Sequence, residues 1–273
     1  MKKIKNWTTI KIIILSSLAG GLLLVALFGK YLAPYDPLEV NYALSLQPPS
    51  RAHWFGTDKL GRDILSRILC GARSSFSLTF IMLIIIVFVG VTLGLIAGYK
   101  KGMIDHVLMR FADVLLAFPD TIFAIAVAGI LGAGLFHTVF ALALIWWTKY
   151  ARLTRTLVSS IMHQDFIIAA KLSGAKPFKI IWAYILPNVF PQILIHATLD
   201  IGSMMISLAG LSFLGLASQP PQPEWGYMLF ESKQFMQTAP WMMVYPGLVI
   251  LISVIIFNLL GDSLRDKLDP KQS

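Results

Sequence analysis

Long apolar runs bounded by charged residues constrain this chain more than any other feature. Residues 12–29 and 74–99 contain no Asp, Glu, Lys or Arg, and about 20 largely apolar residues suffice for a helix to cross a bilayer. The chain of 273 residues is 56% hydrophobic and only 14% charged, whereas soluble domains average about 25% charged residues. We therefore predict an all-α integral membrane protein.

Six membrane-spanning helices account for the pattern of apolar and charged residues. The uncharged stretch 121–148 is too short for two spans and is interrupted by the glycine-rich residues 129–134, so we assign it to two spans that extend beyond it. An even number of spans places both termini on the same side of the membrane. The predicted spans lie at about 12–29, 74–99, 110–131, 136–155, 190–215 and 243–261.

The distribution of basic residues predicts the orientation in the membrane. The N-terminus, residues 100–110, residues 149–189 and the C-terminus together hold 16 of the 23 Lys and Arg residues. By the positive-inside rule this face is cytoplasmic, which predicts a multi-pass membrane protein with both termini in the cytoplasm. The net charge of +9 then reflects orientation, and we expect no nucleic-acid partner.

The first of two predicted outer loops lies between the first two spans. Within it, Asp58, Arg62, Asp63 and Arg67 alternate in sign at near-helical spacing. This spacing predicts a short helix with i,i+4 ion pairs that rests on the membrane or on a partner chain. A solvated loop with local ion pairs is the alternative.

The second outer loop, residues 216–242, combines several prolines with Trp225 and Trp241. Tryptophan concentrates at the headgroup level of membranes, so we predict a rigid surface segment anchored there. The sequence shows no internal repeat. We divide the chain into residues 1–75, which hold the first span and the long loop, and a five-helix core at residues 76–273.

Small residues recur on the second span at Gly90, Gly94, Ala97 and Gly98. Such spacing lets neighbouring helices approach closely, and we predict helix packing at these positions. A role in lining a translocation route is the alternative.

Residues 165–187 form a basic, amphipathic segment between two apolar runs. The segment belongs to the basic face, and no membrane span requires it, so we predict that it docks on a partner. Its charged and small residues are segregated, which indicates a short pair of helices.

Ionisable residues inside the fifth predicted span mark a second candidate site. His196 and Asp200 lie four residues apart and share a helical face with Met204. Because such groups are costly in a bilayer, they usually face a cavity or a partner. A His, a carboxylate and a thioether can contact a metal or a metal chelate in transit. The alternative is that the two polar groups bond to each other or to another subunit, with the thioether filling the core.

Seven motifs follow one another along the chain. They are residues 56–63 (GTDKLGRD), 97–102 (AGYKKG), 150–155 (YARLTR), 165–187, 211–215 (LSFLG), 223–226 (PEWG) and 258–266 (NLLGDSLRD). Together they resemble the C-type permeases of dipeptide, oligopeptide and nickel ABC importers, and the resemblance covers nearly the whole chain. It implies a protein of the bacterial inner membrane with the type I permease fold of ABC importers, in which a segment similar to 165–187 is the cytoplasmic coupling loop that contacts an ATPase subunit. The candidate coupling residues that it implies are Asp165, Ala169, Ala170, Gly174 and Pro187.

The same resemblance implies the partners and the cargo. The partners are a sister permease in a heterodimer, two cytoplasmic ATPase subunits, an external solute-binding protein and the membrane lipid. No cofactor is expected on this chain, and metal ligands remain unassigned. Residues 198–202 and 264–270 look closer to the nickel branch, which favours nickel or a metal chelate as cargo, with dipeptides or oligopeptides as the alternative.

One position departs from the pattern of the family. The family loop often carries Glu-Ala-Ala followed four residues later by Gly, whereas Ile168 stands here in place of the carboxylate. The nearest acidic residue is Asp165, one turn earlier. Docking by shape through Ala169, Ala170 and Gly174 is compatible with this change, whereas a salt bridge from a specific Glu is not.

Two other classes of function fit the sequence less well. An ion-coupled carrier needs intramembrane carboxylates and usually an internal repeat, yet only Asp200 lies well inside a predicted span. A membrane-embedded enzyme needs a convergent nucleophile and base, which no spacing here indicates. The sequence also contains no phosphate-binding loop ending in Gly-Lys-Ser/Thr, so we expect ATP hydrolysis on separate subunits.

Overall fold

The computed structural model describes residues 2–217 and 221–268, and helices dominate that part of the chain. No strand forms among these residues beyond an isolated bridge between Thr57 and Asp63, which confirms the all-α prediction. Short 3-10 turns cover Tyr42–Leu44 and Lys233–Phe235. The helices are α1 Lys2–Leu32, α2 Ile64–Lys100, α3 Gly102–Leu116, α4 Asp120–Leu131, α5 Leu135–Ile161, α6 Asp165–Leu172, α7 Pro177–Lys179, a π-helix Ile180–Ile185, α8 Leu186–Phe213, α9 Trp225–Ser232 and α10 Trp241–Leu268.

Four helical stretches are long and apolar enough to cross a membrane by length and composition. A fifth is added if the bent pair α3 and α4 counts as one span. The predicted total of six is therefore not confirmed among the described residues, because α5 has the length of a span but carries Lys149, Arg152 and Arg155 along it. The four stretches are Thr9–Leu32, Ile64–Lys100, Pro177–Phe213 and Trp241–Leu268.

The predicted span at residues 110–131 is not a single straight helix. Helix α3 ends at Leu116 and α4 begins at Asp120, with an angle of 88° between them. The ring of Pro119 disfavours the helical conformation for the residue that precedes it. A new helix then starts favourably, because the Asp120 carboxylate lies in its first turn.

By its internal contacts the chain divides into two compact units, one of residues 1–81, 125–139 and 198–273 and the other of residues 82–124 and 140–197. In the first unit, Trp225 is only 2% exposed, so its side chain is packed inside the protein and is not the surface anchor that was predicted. Its indole N–H donates to the carbonyl of Ile68 at 2.9 Å, and its ring packs edge-on against Phe76.

The first helical turn of α9, which begins with Trp225, is fixed by the side chain of Glu224. Its two carboxylate oxygens accept the backbone N–H groups of Gly226 and Tyr227, each at 2.8 Å. The Ser75 hydroxyl donates to the same carboxylate at 3.3 Å. An acidic cap of this kind satisfies donors that the helix leaves unpaired, so the second outer loop contains a buried helix where a rigid surface segment was predicted.

The predicted short helix at residues 58–67 is also wrong, because the structure places a tight loop there and starts α2 only at Ile64. The Asp63 carboxylate accepts the Ser66 backbone N–H at 2.8 Å and so stabilises the first turn. The carboxylate also lies 2.9 Å from Nδ1 of His53. Two residues of this loop, Asp58 and Arg62, do form the expected i,i+4 ion pair.

In the second unit, the glycines of α2 allow close packing against α5, which confirms the packing prediction. A Cβ atom on Gly90 would lie 2.5 Å from the carbonyl oxygen of Trp147, and one on Gly94 would lie 2.6 Å from that of Ala151. A Cβ atom on Gly98 would lie 2.8 Å from the Val158 side chain. Ala97, the fourth small residue of this stretch, is fully buried.

Candidate docking segment and translocation residues

The docking segment, defined as residues 165–187, begins with helix α6. Asp165 lies in its first turn with an exposed side chain, where a carboxylate interacts favourably with the positive end of the helix dipole. Ile167 and Ala170 are three residues apart and form its buried face. Ile168, which replaces the Glu of the family pattern, is 45% exposed and therefore available to a partner.

A sharp turn at Gly174 ends α6. Its φ angle is +75°, a left-handed conformation that residues with a Cβ atom rarely adopt. The backbone N–H of Ala175 donates to the carbonyl of Ala170 at 3.0 Å, and that of Gly174 donates to Lys171 at 3.0 Å. A Cβ atom at position 174 would meet nothing within 4 Å. The glycine is thus required by the backbone conformation, and no steric contact within the described residues demands it.

The chain becomes helical again at Pro177, which occupies the first helical position, where a missing N–H costs nothing. The π-helix Ile180–Ile185 connects this turn to α8, so residues 177–213 form one helical stretch. Pro187 lies inside that stretch and not at the end of a loop. The predicted pair of helices is therefore present, but its second member continues into a membrane span.

Exposed apolar and basic side chains concentrate on the docking segment. Leu172 is 84% exposed, and the neighbouring rings of Phe178 and Trp182 are 71% and 57% exposed. Exposed apolar groups on this scale mark interaction sites in proteins. Lys176 and Lys179 are exposed beside them, so a partner surface that offers an apolar pocket and carboxylates would match this segment.

A groove of about 630 Å³ runs between α6 and the following turn of helix. Its wall includes the small residues Ala169, Ala170 and Gly174 and the larger side chains of Phe166 and Tyr184. Three of the predicted docking residues are thus brought together on one concave surface. The other two, at positions 165 and 187, do not line this groove.

Helix α5, which leads into the docking segment, is tied to α3 by two ion pairs. Arg155 donates two hydrogen bonds to the Asp105 carboxylate, at 2.9 and 2.6 Å. Arg152 donates to Asp113 at 2.6 Å, although both of these side chains are about half exposed. The bidentate pair is the stronger of the two, since it fixes geometry as well as charge.

The three candidate translocation residues lie in sequence order along α8 but differ in exposure. His196 is exposed, Asp200 is partly exposed and Met204 is fully buried. Their spacing on one helix is as predicted, yet they do not present one uniformly accessible surface. Among the residues that the structure describes, no group of three or more His, Cys, Asp and Glu side chains could hold a metal ion.

A buried ionic cluster, formed by Asp58, Arg62, Arg67 and Glu231, was not predicted as a unit. Arg62 donates to the Asp58 carboxylate at 2.6 Å and to Glu231 at 3.0 Å. Arg67 donates to Glu231 at 2.7 Å and also pairs with Asp58. The alternating charges of the loop indicated three of the four members of this cluster. The fourth, Glu231, lies 164 residues beyond Arg67, and no local pattern points to it.

The cluster also affects a second residue of α9, the helix that contributes Glu231. Tyr227 on that helix is only 8% exposed. Its burial, reinforced by the negative charge of Glu231, raises the pKa of the Tyr227 phenol above its ordinary value. The phenol therefore stays protonated and neutral throughout the physiological pH range.

Comparison with known proteins identifies the family. Residues 90–273 match the family described as the inner membrane component of binding-protein-dependent transport systems. The chain is 45% identical to the dipeptide transport system permease protein DppC of Alkalihalophilus pseudofirmus over 249 residues, which is 91% of this chain and 82% of that protein. It is 42% identical to the nickel transport system permease protein NikC of Escherichia coli K12, covering 91% of this chain and 90% of that protein.

Another relative is named for a different cargo, and a solved structure shares the fold. The chain is 43% identical to the glutathione transport system permease protein GsiD of Pectobacterium atrosepticum, covering 92% of this chain and 83% of that protein. Among solved structures, the inward-facing MetNI methionine ABC transporter matches with a TM-score of 0.60 over 74% of this chain and 96% of the other. At 17% identity this last likeness concerns the fold alone.

This chain belongs to the binding-protein-dependent transport permease family, and specifically to the group of nickel and peptide import permeases. It is a multi-pass inner-membrane component of an ABC importer, as the resemblance implied. The membership also places the chain among transport components, so neither an ion-coupled carrier nor a membrane-embedded enzyme describes it.

Proposed function

We propose that this chain forms half of a translocation pathway that imports nickel or a metal chelate. The nickel permease relative, 42% identical with nine-tenths of its length covered, supports this choice. The sequence of residues 198–202, which includes Asp200, adds a carboxylate within a membrane helix where a cation would gain from it.

The docking segment is the observation that carries the transport function. Exposed Leu172, Phe178 and Trp182 on a basic face favour contact with a protein partner over contact with water. We propose that this partner is a cytoplasmic ATPase subunit, two of which serve a heterodimer of this chain and a sister permease. ATP hydrolysis on those subunits then moves the docking segment, and an external solute-binding protein delivers the cargo.

Three substitutions at Gly174 test this docking. The backbone at Gly174 is in the left-handed region, with φ at +75°. Gly174→Ala therefore introduces strain of about 1 kcal/mol, whereas Gly174→Asn introduces less, because Asn tolerates this conformation. Gly174→Trp adds bulk beside the groove as well. We expect uptake and cargo-stimulated ATPase activity to fall least in the Asn variant, more in the Ala variant and most in the Trp variant. All three variants should still insert into the membrane.

The measurement is ATPase activity and uptake of the assembled complex in proteoliposomes. A Gly132→Ala variant is the matched control, because its φ angle of +86° is similar and its Cβ atom would also meet nothing within 4 Å, while the residue lies outside the docking segment. Full coupling in the Trp variant would show that the segment does not dock on the ATPase.

We also propose the topology and the division of labour along the chain. The excess of basic residues at both ends supports cytoplasmic termini. Residues 1–75 act as an appendage and residues 76–273 as the transport core, a division supported by the family match, which begins at residue 90. Labelling of single cysteines added at each terminus, in intact cells and in lysed cells, tests the topology.

Peptide import is the second candidate function, favoured by the 45% identity to a dipeptide permease. The two functions differ in what the cognate solute-binding protein holds. Titration of that protein with nickel salts, with nickel chelates and with dipeptides separates them. Tight binding of dipeptides with no response to nickel or its chelates would reassign the cargo to peptides.

A further inference from the structure

A cavity of about 620 Å³ lies at the end of the first membrane helix. Ala26 and Leu27 of α1 and Cys70 of α2 supply its apolar wall. Lys30, Arg73 and Asp36 supply charge at its rim. The cavity therefore combines an apolar half with a charged half, as an amphipathic ligand requires.

The two cations of this rim are available to a ligand. Lys30 and Arg73 are both exposed, and within residues 2–217 and 221–268 the side chain of neither forms a hydrogen bond or an ion pair. The Asp36 carboxylate accepts the Leu38 backbone N–H through Oδ1 at 2.8 Å. Its second oxygen is left to interact with a positive group of a ligand.

The position of the cavity relative to the apolar run of α1 indicates its depth. The candidate span Thr9–Leu32 ends beside it, and apolar Leu27 is 67% exposed on the helix surface. Tyr31 and Tyr35, at 84% and 40% exposure, are the side chains expected at the boundary between hydrocarbon and headgroups. The charged rim thus lies at headgroup level and the apolar wall at the level of the acyl chains.

We propose that this cavity binds one membrane phospholipid, an aminophospholipid of the phosphatidylethanolamine class. The phosphate lies against Lys30 and Arg73, since charge-assisted bonds of this type are the strong ones. The ammonium group lies against Asp36, which would repel a purely anionic headgroup. The glycerol and upper acyl carbons cover Leu27, an apolar surface from which a free phosphate ion gains nothing.

Lipid retention by the full-length chain tests the proposal. The protein is placed in nanodiscs of equal parts phosphatidylethanolamine and phosphatidylglycerol and extracted into detergent, and retained lipid is counted by native mass spectrometry. We expect one phosphatidylethanolamine per wild-type chain and about tenfold less on the Lys30→Ala, Arg73→Ala double variant. The Lys30→Arg, Arg73→Lys exchange keeps both charges and should retain the lipid.

Two further variants make the result specific. Asp36→Asn should shift the retained lipid from phosphatidylethanolamine towards phosphatidylglycerol, because the carboxylate that selects the ammonium is gone. Lys100→Ala with Arg110→Ala removes two exposed cations elsewhere on the chain and should leave retention unchanged.

Three outcomes overturn the proposal. The first is a wild-type chain that retains no phosphatidylethanolamine. The second is an equal loss in the Lys100, Arg110 control, which would mean general attraction of lipid to interfacial cations. The third is displacement of the lipid by millimolar inorganic phosphate, which would mean an anion site without lipid recognition.

Discussion

Two guanidinium groups and two carboxylates are buried together in the ionic cluster. Each of the four side chains is at most 6% exposed. Removing charges from water costs several kcal/mol for each ion, so mutual attraction roughly offsets desolvation and the intact cluster adds little net stability. The same argument makes an incomplete cluster costly, since a charge left without its partner stays buried. The cluster therefore acts mainly by fixing the loop before α2 against α9.

Loss of Glu231 tests the difference between an intact cluster, which adds little net stability, and an incomplete one, which is costly. Glu231→Ala leaves Arg62 and Arg67 with only Asp58, and we expect the free energy of unfolding to fall by about 3–5 kcal/mol. The measurement is thermal unfolding of the full chain in nanodiscs. Lys59→Ala is the control, because its ammonium lies 3.6 Å from the same carboxylate but is 41% exposed, and such pairs contribute about 0–1 kcal/mol. Equal, small shifts in both variants would contradict the argument.

The contact between α2 and α5 depends on backbone proximity. Because apolar side chains gain little from leaving lipid, membrane helices associate through close van der Waals contact, which small residues permit. Ala112, Trp147 and Ala151 form a buried cluster in the same unit. Glycines on α2 and the alanine on α5 thus let one helix surface fit the other.

Enlarging Gly94 should separate these two helices. A Cβ atom there would lie 2.6 Å from the Ala151 carbonyl oxygen and 2.7 Å from Cβ of Thr154, so the helices must shift. We expect Gly94→Ala to cost about 1–3 kcal/mol, measured by thermal unfolding in nanodiscs. Gly21→Ala on α1 is the matched control, since its Cβ atom meets nothing within 4 Å and should be neutral or slightly stabilising. A Gly94 variant as stable as the control would mean that α2 and α5 do not need this contact.

Some elements could be predicted from the sequence because their signal is local. The apolar runs gave α1 and α10 directly, and small-residue spacing indicated the packing surface of α2. The break at residues 117–119 was not predicted, because the length of an uncharged stretch says nothing about a bend within it. Pro119 is the local signal that marks this break. The burial of Trp225 was not predicted, because its partner Phe76 lies 149 positions earlier in the chain. A sequence pattern within one helix cannot predict a contact over such a separation.

The helical stretch 177–213 connects the two candidate sites within one element. It begins in the docking segment and later carries His196, Asp200 and Met204. The π-helix at its start and Pro191 inside α8 are the kinds of feature at which helices bend. A partner that displaces the docking segment therefore acts on the same helical stretch that carries the candidate translocation residues. Bending at the π-helix or at Pro191 would reduce the part of this displacement that is transmitted along the helix.

The last prediction concerns whether the α8 residues contact the cargo. A carboxylate 4 Å from a cation contributes about 1 kcal/mol even in a water-like dielectric, which corresponds to roughly fivefold in an equilibrium constant. We therefore expect Asp200→Asn to slow uptake of nickel or its chelate by about fivefold or more, while the solute-binding protein still captures its ligand. Asp266→Asn, on the exposed end of α10, is the matched control and should not change uptake.

His196→Leu extends the test to a neighbour that is already exposed. Assembly of each variant is checked by co-purification with the other subunits, since a structural role would reduce assembly before it reduced uptake. Slower uptake in correctly assembled complexes assigns both side chains to the route of the cargo. Unchanged uptake in both variants would remove this part of α8 from the pathway, because the carboxylate of Asp200 and the imidazole of His196 would then be dispensable for transport.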